Sequence, residues 1–220
     1  MNNFNLQVLI PLIEESLNYP NISNNSPLTR NGGTGCGFGT ILFSLIVSLK
    51  AKNILETGTA SGGSAYPLLL GSYLNNGKLT SIDNGTFSVC REWVQKIPIS
   101  NIALCDNLII TDSINFLKNT QEIYDFIFID DWHEYNHVLT ELEIIREREL
   151  LSPLGIITMH DAMYGNTEPK YREELNAVGE FGSGGVFKAI KDFTAKYPTE
   201  WEYCTLPIDH GLTILRKIYI

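Results

Sequence analysis

Between Asn53 and Asp161, short apolar segments alternate with helical ones, and this alternation limits the possible folds more than any other feature of the sequence. The apolar segments are bounded by glycine or polar residues and have the length of strands: NILETG, KLTSID, NLIITD, YDFIFID and GIITMHD. Strands that are apolar on both faces are typical of a parallel sheet covered by helices on both sides. The alternation therefore predicts an α/β, doubly wound sheet.

The C-terminal part of the chain departs from this alternation. A helical segment, VFKAIKDFTAKYP, precedes two strand-like segments, WEYCTLP and GLTILRKI, which only a few residues separate. Strands joined so closely pair antiparallel, because a parallel connection needs a crossover of a dozen or more residues. We therefore expect one domain whose mostly parallel, seven-stranded sheet ends in a C-terminal antiparallel hairpin.

Composition and charge limit the class of protein. The 220 residues include 16 basic and 25 acidic side chains, for a net charge of -9. This balance argues against nucleic acid and anionic membranes as partners, since both are bound through basic surfaces. The N-terminus lacks a basic region, no apolar run is long enough to span a membrane, and the four cysteines form no CxxC pair. These features predict a soluble, cytoplasmic protein.

In an open α/β sheet, ligands bind beyond the carboxyl ends of the strands, so the residues that end each strand are candidates for a site. The first strand ends in the glycine-rich turn ETGTASGGS, where backbone can approach a ligand. The dinucleotide fingerprint GxGxxG needs glycine where this chain has Ala60, which argues against a dinucleotide. A tight turn with only a structural role is the alternative.

The next two strands also end in polar residues. Asp83 lies about twenty residues beyond the glycines, where a carboxylate can accept the hydroxyls of a ribose, although Asp83-Asn84-Gly85 could also be a simple turn. Thr111-Asp112-Ser113 either caps the following helix or places a polar group beside an adenine. The two interpretations of the second segment are compatible.

Acidic and histidine residues cluster after the fourth and fifth strands. The fourth is followed by DDWHEY and the fifth ends in His160-Asp161. If these strands are neighbours, Asp130 and Asp161 can reach one ion, and two carboxylates suit Mg²⁺, while a nearby histidine also allows a transition metal. Helix caps are the alternative. His137 is interpreted as an ordinary surface or packing histidine.

Taken together, residues 53 to 161 resemble the class I S-adenosylmethionine-dependent methyltransferases, in particular small-molecule O-methyltransferases of the catechol O-methyltransferase-like type. The segments that carry the resemblance are ILETGTASGGS, LTSIDNG, ITDSINFL, YDFIFIDDWHEY and His160-Asp161. The terminal hairpin fits the same family. The resemblance does not reach the first thirty-odd residues or the stretch from Ala162 to Gly185.

The resemblance implies a set of cofactor-binding residues for S-adenosylmethionine. The turn after the first strand would surround the methionine part, Asp83 would hold the ribose, and the residues after the third strand would lie beside the adenine. Asp130 would close the cofactor pocket. The complete set is Glu56, Gly58, Thr59, Gly62, Ser64, Asp83, Asp112, Ser113 and Asp130.

The resemblance also implies a metal site and a catalytic base. Asp130 and Asp161 fall on two metal ligands, but Ala162 stands where the family has a third ligand, an asparagine. His160, His133 or Asp131 could complete the shell, and we assign the metal to Asp130, Asp161 and His160. His133 falls on the position of the family's catalytic lysine, and an imidazole can accept a hydroxyl proton near neutral pH. Asp130 and His133 are thus the expected catalytic residues.

The expected reaction is transfer of a methyl group to a hydroxyl of a small molecule, assisted by Mg²⁺ or another divalent cation. N-methylation, a nicotinamide-dependent oxidoreductase and a non-catalytic cofactor-binding homologue remain alternatives, and a homodimer is possible. We expect four segments in the one domain. Residues 1–52 would form N-terminal helices and a loop that covers the acceptor, and residues 53–161 the cofactor-binding core. Residues 162–185 would be an acceptor-side insertion, and residues 186–220 a helix with the closing hairpin.

Overall fold

The computed structural model describes residues 38–85, 94–97, 99, 101–162, 183–208 and 211–218. Of the segment 1–52, where N-terminal helices and a loop that would cover the acceptor are expected, only residues 38–52 are among them. Most of the insertion expected at 162–185 also lies outside them.

Helices and strands alternate along the described chain, as the sequence predicts. The elements are α1 (Phe38–Leu49), β1 (Asn53–Thr57), α2 (Ala65–Leu74), β2 (Lys78–Asp83), β3 (Asp106–Ile110), α3 (Ser113–Asn119), β4 (Tyr124–Ile129), α4 (Tyr135–Glu147), β5 (Leu151–Met159), α5 (Ser183–Lys196), β6 (Trp201–Leu206) and β7 (Leu212–Lys217). Pro67 is the third residue of α2, in the first turn, where its missing N–H breaks no helical hydrogen bond. None of the described helices has the length and apolar character needed to cross a membrane.

The strands form one sheet in the order β3-β2-β1-β4-β5-β7-β6. Strands β1 to β5 pair parallel, whereas β7 pairs antiparallel with both β5 and β6. The predicted fold class, a doubly wound and mostly parallel seven-stranded sheet with a C-terminal antiparallel hairpin, is confirmed.

The core lies on both faces of this sheet because its central strands are apolar on both sides. Ile54 and Phe128 point to one face and pack with α1 and α2, whereas Leu55 and Ile127 point to the other and pack with α3, α4 and α5. All four side chains are fully buried. The successive residues of each strand thus alternate between two hydrophobic layers.

The chain reverses its direction across the sheet between β1 and β4. It runs from β1 outward through β2 to β3, and then returns to place β4 on the other side of β1. The connections that follow β1 and β4 therefore lead away from each other and leave a crevice at the carboxyl ends of these two neighbouring strands. Open α/β sheets bind ligands in such a crevice.

Candidate active site at the carboxyl edge of the sheet

A cavity of about 430 Å³ opens beyond the carboxyl ends of β1 to β4. Five residues proposed from the sequence as cofactor contacts line it: Gly58, Asp83, Asp112, Ser113 and Asp130. The other described lining residues were not among those proposed contacts: Ala60, Ile82, Asn84, Thr111, Asp131, Trp132 and His137.

The turn after β1 passes so close to β4 that its first glycine cannot be replaced. Gly58 has φ +83°, and a Cβ at this position would lie 2.3 Å from the carbonyl oxygen of Asp130. Its N–H donates to the Ile82 carbonyl at 2.8 Å, so the turn is held between β2 and β4. Glycine is needed here because φ is positive and because any side chain would collide with the backbone of Asp130.

The remaining predicted residues of this turn support its backbone. Glu56 is fully buried and accepts hydrogen bonds from the hydroxyls of Ser64, at 2.5 Å, and Ser81, at 2.6 Å. Thr59 is nearly buried, and its carbonyl accepts from the Gly62 N–H at 2.7 Å. Glu56, Thr59, Gly62 and Ser64 therefore lie behind the lining of the cavity, and their contact with a cofactor stays a prediction.

Asp83 has the turn role that the sequence left open and also lines the cavity, while its contact with a ribose stays a prediction. Its Oδ2 accepts from the backbone N–H groups of Thr59, at 3.2 Å, and Ala60, at 3.0 Å, while Oδ1 accepts from Gly85 at 2.8 Å. A carboxylate can accept about four hydrogen bonds, so these three leave capacity for a ligand in the cavity. The side chain fixes two turns and still faces the site.

The residues after β3 cap a helix and border the cavity. Asp112 is the N-cap of α3, where its carboxylate accepts from the Asn115 N–H at 2.8 Å. The Ser113 hydroxyl donates to Asp131 Oδ2 at 2.6 Å. The helix-cap interpretation is thus confirmed for Asp112, while a contact with adenine stays a prediction for both residues.

The acidic and histidine residues after β4 and β5 meet, because these two strands are neighbours. Nε2 of His133 lies 3.3 Å from Asp130 Oδ1 and 3.1 Å from Asp161 Oδ2. Nδ1 of His160 lies 3.2 Å from the same Asp130 oxygen and 3.4 Å from Asp161 Oδ1. Two imidazoles therefore flank two carboxylates.

The histidines and carboxylates of this cluster shift one another's pKa values. Burial by itself would raise the pKa of Asp130, but His160 and His133 outweigh it and lower that pKa below its usual value. Burial would lower the pKa of His133, yet the hydrogen bond and charge of Asp130, with the charge of Asp161, raise it. Asp130 is thus held in the anionic form that binds cations.

The two histidines differ in their surroundings. His160 is 2% exposed, and its ring stacks on Phe38 with 4.4 Å between the ring centroids. The His133 side chain is 19% exposed. The Ala162 side chain is fully buried and offers no ligand atom. Among the described residues of this cluster, His133 and His160 are the side chains that could supply a third ligand beside the two carboxylates.

A second cluster lies on the other side of β4. His137 Nε2 is 3.1 Å from Asp131 Oδ2 and 3.8 Å from Glu141 Oε1. His137 thus lines the cavity instead of being an ordinary packing histidine, and Glu141 is fully buried although most acids of α4 face solvent. The i, i+4 spacing of His137 and Glu141 is the signal that could have indicated this pair.

Burial and the charge of Asp131 raise the pKa of Glu141 well above its usual value, against a smaller lowering by the hydroxyls of Ser113 and Thr57. Burial would also raise the pKa of Asp131, but His137 and Ser113 bring it below its usual value. The two neighbouring carboxyls are therefore driven toward different protonation states when no cation is present.

Residues 55–162 match a family model described as a methyltransferase domain. This match confirms the resemblance to methyltransferases that the strand-end segments of the same region indicate. No curated protein gives a significant match to the sequence.

Several solved structures share the fold of nearly the whole chain. Methyltransferase PaMTH1 from Podospora anserina, bound to SAH, is 19% identical, with a TM-score of 0.67 over 96% of this chain and 88% of its own. The O-methyltransferase TomG from Streptomyces achromogenes, in complex with SAM, is 15% identical, with a TM-score of 0.63 over 96% and 89%. An O-methyltransferase from Bacillus cereus, in complex with SAH, is 18% identical, with a TM-score of 0.60 over 97% and 90%.

Proposed function

We propose that this protein, whose residues 55–162 match a methyltransferase domain, transfers the methyl group of S-adenosylmethionine to a hydroxyl oxygen of a small molecule. The observation that carries the proposal is the cavity at the switch point, which is lined by both the Gly58 turn and the Asp83 carboxylate. The similar folds of proteins solved with SAM or SAH support the choice of donor.

The cavity is lined by groups whose chemistry suits each part of this donor. Asp83, with a free acceptor position, suits the ribose hydroxyls, and Trp132 offers an aromatic surface for the adenine. The turn around Gly58 brings backbone close to the cavity, where it suits the methionine part. The methyl group would then point toward the cluster after β4 and β5.

Methyl transfer from sulfur to oxygen is an in-line displacement, in which the protein aligns donor and acceptor and increases the nucleophilicity of the acceptor. We assign His133 as the base that accepts the hydroxyl proton, since it is the more exposed histidine of the cluster. The carboxylates of Asp130 and Asp161 hold its ring in place through Nε2.

A divalent cation fits the same cluster by the chemistry of its donor atoms. Asp130, Asp161 and the buried His160 would hold it, and this mixed oxygen and nitrogen set suits Mn²⁺ or another transition metal as well as Mg²⁺. When bound, such a cation supplies positive charge that lowers the pKa of a nearby hydroxyl. The buried Ala162 is the observation that favours the alternative, a homologue that binds the cofactor without catalysis.

The test is methyl transfer by the full chain from SAM carrying a labelled methyl group, with phenols, catechols, sugars and amines as acceptors. The proposal predicts label on a hydroxyl oxygen, a requirement for a divalent cation, and loss of turnover in EDTA. Activity that is unchanged in EDTA would contradict the metal assignment. Binding of SAM with transfer only to amines, or to no acceptor, would contradict O-methylation.

The role of His133 is tested with His133→Ala in the same assay. Loss of a general base lowers kcat by about 10²–10⁴-fold. Because the pKa of His133 is raised, the wild-type rate should fall as the pH decreases through that pKa, and the variant should lose this dependence. Asn136→Ala, an exposed neighbour, is the control and should retain wild-type kinetics. Equal turnover of His133→Ala and wild type at every pH would disprove the assignment.

A further inference from the structure

The second cluster, formed by Ser113, Asp131, His137 and Glu141, supplies no group to the methyl-transfer step, although Ser113 is also a predicted cofactor contact and three of the four residues line the same cavity. We propose that Asp131, His137 and Glu141, together with the Ser113 hydroxyl, form a separate binding site for Zn²⁺ or a transition-metal dication of similar size. The inference does not depend on the identity of the methyl donor or acceptor.

The donor atoms lie close together, although not yet at the separations of a four-coordinate site, and the shortest distance is 2.6 Å between Ser113 Oγ and Asp131 Oδ2. His137 Nε2 lies 3.1 Å from Asp131 Oδ2, 3.8 Å from Glu141 Oε1 and 3.1 Å from Ser113 Oγ. Atoms bound tetrahedrally at about 2.0–2.2 Å from zinc are separated by roughly 3.3–3.6 Å. Small movements of these side chains would therefore enclose an ion.

An independent observation, the state of Glu141, also indicates a ligand. This side chain is fully buried, and neither carboxylate oxygen makes a hydrogen bond of good distance and angle within the part of the chain that the structure describes, although the hydroxyls of Ser113 and Thr57 lie near enough to lower its pKa. Buried Oδ1 of Asp131 likewise lacks such a partner there. A buried carboxylate is unfavourable unless it is protonated or faces a cation, and this one points at two other potential ligands.

The kind of ion follows from the donor set. One imidazole nitrogen, two carboxylates and a hydroxyl in a compact group suit zinc-like ions, whereas Mg²⁺ prefers six oxygen ligands and retains several waters. The site is accessible, because Ser113, Asp131 and His137 line the cavity. It shares no residue with the cluster of Asp130, His133 and Asp161.

The elements that carry the site are rigid. Ser113 begins α3, Asp131 follows β4, and His137 and Glu141 lie one turn apart on α4. Donors fixed on helices and at a strand end hold a coordination geometry better than donors on long loops do.

The test is calorimetry and equilibrium dialysis of the chelator-stripped full chain with Zn²⁺, without SAM. His137→Gln and Glu141→Gln should each lose one bound equivalent, or bind it at least 100-fold more weakly. Asp161→Asn, the matched control in the other cluster, should retain that equivalent. Zn²⁺ should also raise the Tm of Asp161→Asn, and the double variant Asp161→Asn/His137→Gln should lose this increase, because only a folded site binds the ion.

Equal Zn²⁺ stoichiometry and affinity in wild type, His137→Gln and Glu141→Gln would overturn the proposal. If either variant fails to fold, wild-type crystals soaked in Zn²⁺ decide the question by anomalous scattering. A peak between His137 and Glu141 supports the site, and a map without that peak contradicts it. Methyl-transfer activity plays no part in either measurement, so a failure of the proposed function would be recognised separately.

Discussion

Ala60 adopts a backbone conformation that usually belongs to glycine. Its φ is +41°, in a turn where Gly58 and Gly62 also have positive φ values. A side chain in the left-handed region costs about 1–2 kcal/mol, because its Cβ approaches the following carbonyl. The turn therefore keeps the shape of a glycine loop although the sequence carries a methyl group at this position.

Ala60→Gly should consequently stabilise the protein. Relief of this strain, less the added freedom of glycine in the unfolded chain, should raise the free energy of unfolding by roughly 0.5–1 kcal/mol, as measured by urea denaturation. Ala103→Gly is the matched control, because Ala103 is exposed and its φ is not positive. The control should be destabilised by a similar amount. Destabilisation of both variants would contradict strain at Ala60.

At the residue scale, sequence reasoning finds the side chains that end strands but not the partners that bury them. Asp83 and Asp130 line the cavity because the carboxyl edge of the sheet is fixed by the order of elements. Glu56 also lies near the end of a strand, yet its carboxylate is buried and accepts hydrogen bonds from Ser64 and Ser81. That outcome depends on the register of β1 with β2, which no local pattern encodes.

At the scale of elements, the loop that carries His133 is placed by the start of α5. A Cβ added to Gly185 would lie 1.9 Å from the His133 carbonyl oxygen and 3.1 Å from the Tyr135 N–H nitrogen. Both neighbours are backbone atoms that cannot move aside alone. A helix far along the chain thus fixes the segment between β4 and α4.

Gly185→Ala should displace α5 from this loop. Overpacking of this kind costs about 1–3 kcal/mol, which urea denaturation would measure as a lower free energy of unfolding. The exposed Lys191, on the same helix, provides the control Lys191→Ala, which should change stability by less than about 0.5 kcal/mol. A Gly185→Ala protein as stable as wild type would show that α5 does not constrain the loop.

Most element boundaries agree with the sequence pattern, and the exception has a physical cause. The fifth strand was expected to begin near Gly155, but β5 begins at Leu151. Leu151 pairs with Tyr124 of β4, and the register then shifts before Ile156 pairs with Phe126. Tertiary pairing extends the strand beyond what local propensity indicates.

At the scale of the whole molecule, the sheet order explains why acids that are distant in sequence share one edge. Asp83, Asp130 and Asp161 end three different strands, and the parallel arrangement brings those ends to the same side. The net charge of -9 argues only against certain partners, whereas the positions of these acids support the proposal of a cationic donor and a divalent cation. The second cluster could not be predicted in this way, because Glu141 is buried by packing of α4 against the sheet.

The most direct test of the account is calorimetric titration of the full chain with SAM and, separately, with NAD⁺. The account predicts one equivalent of SAM bound and no heat with NAD⁺. Asp83→Asn, with its fold verified by circular dichroism, should bind SAM about 10- to 100-fold more weakly, because it loses charged hydrogen bonds to the ribose. Preferential binding of NAD⁺, or SAM affinity that is unaffected by Asp83→Asn, would contradict the account.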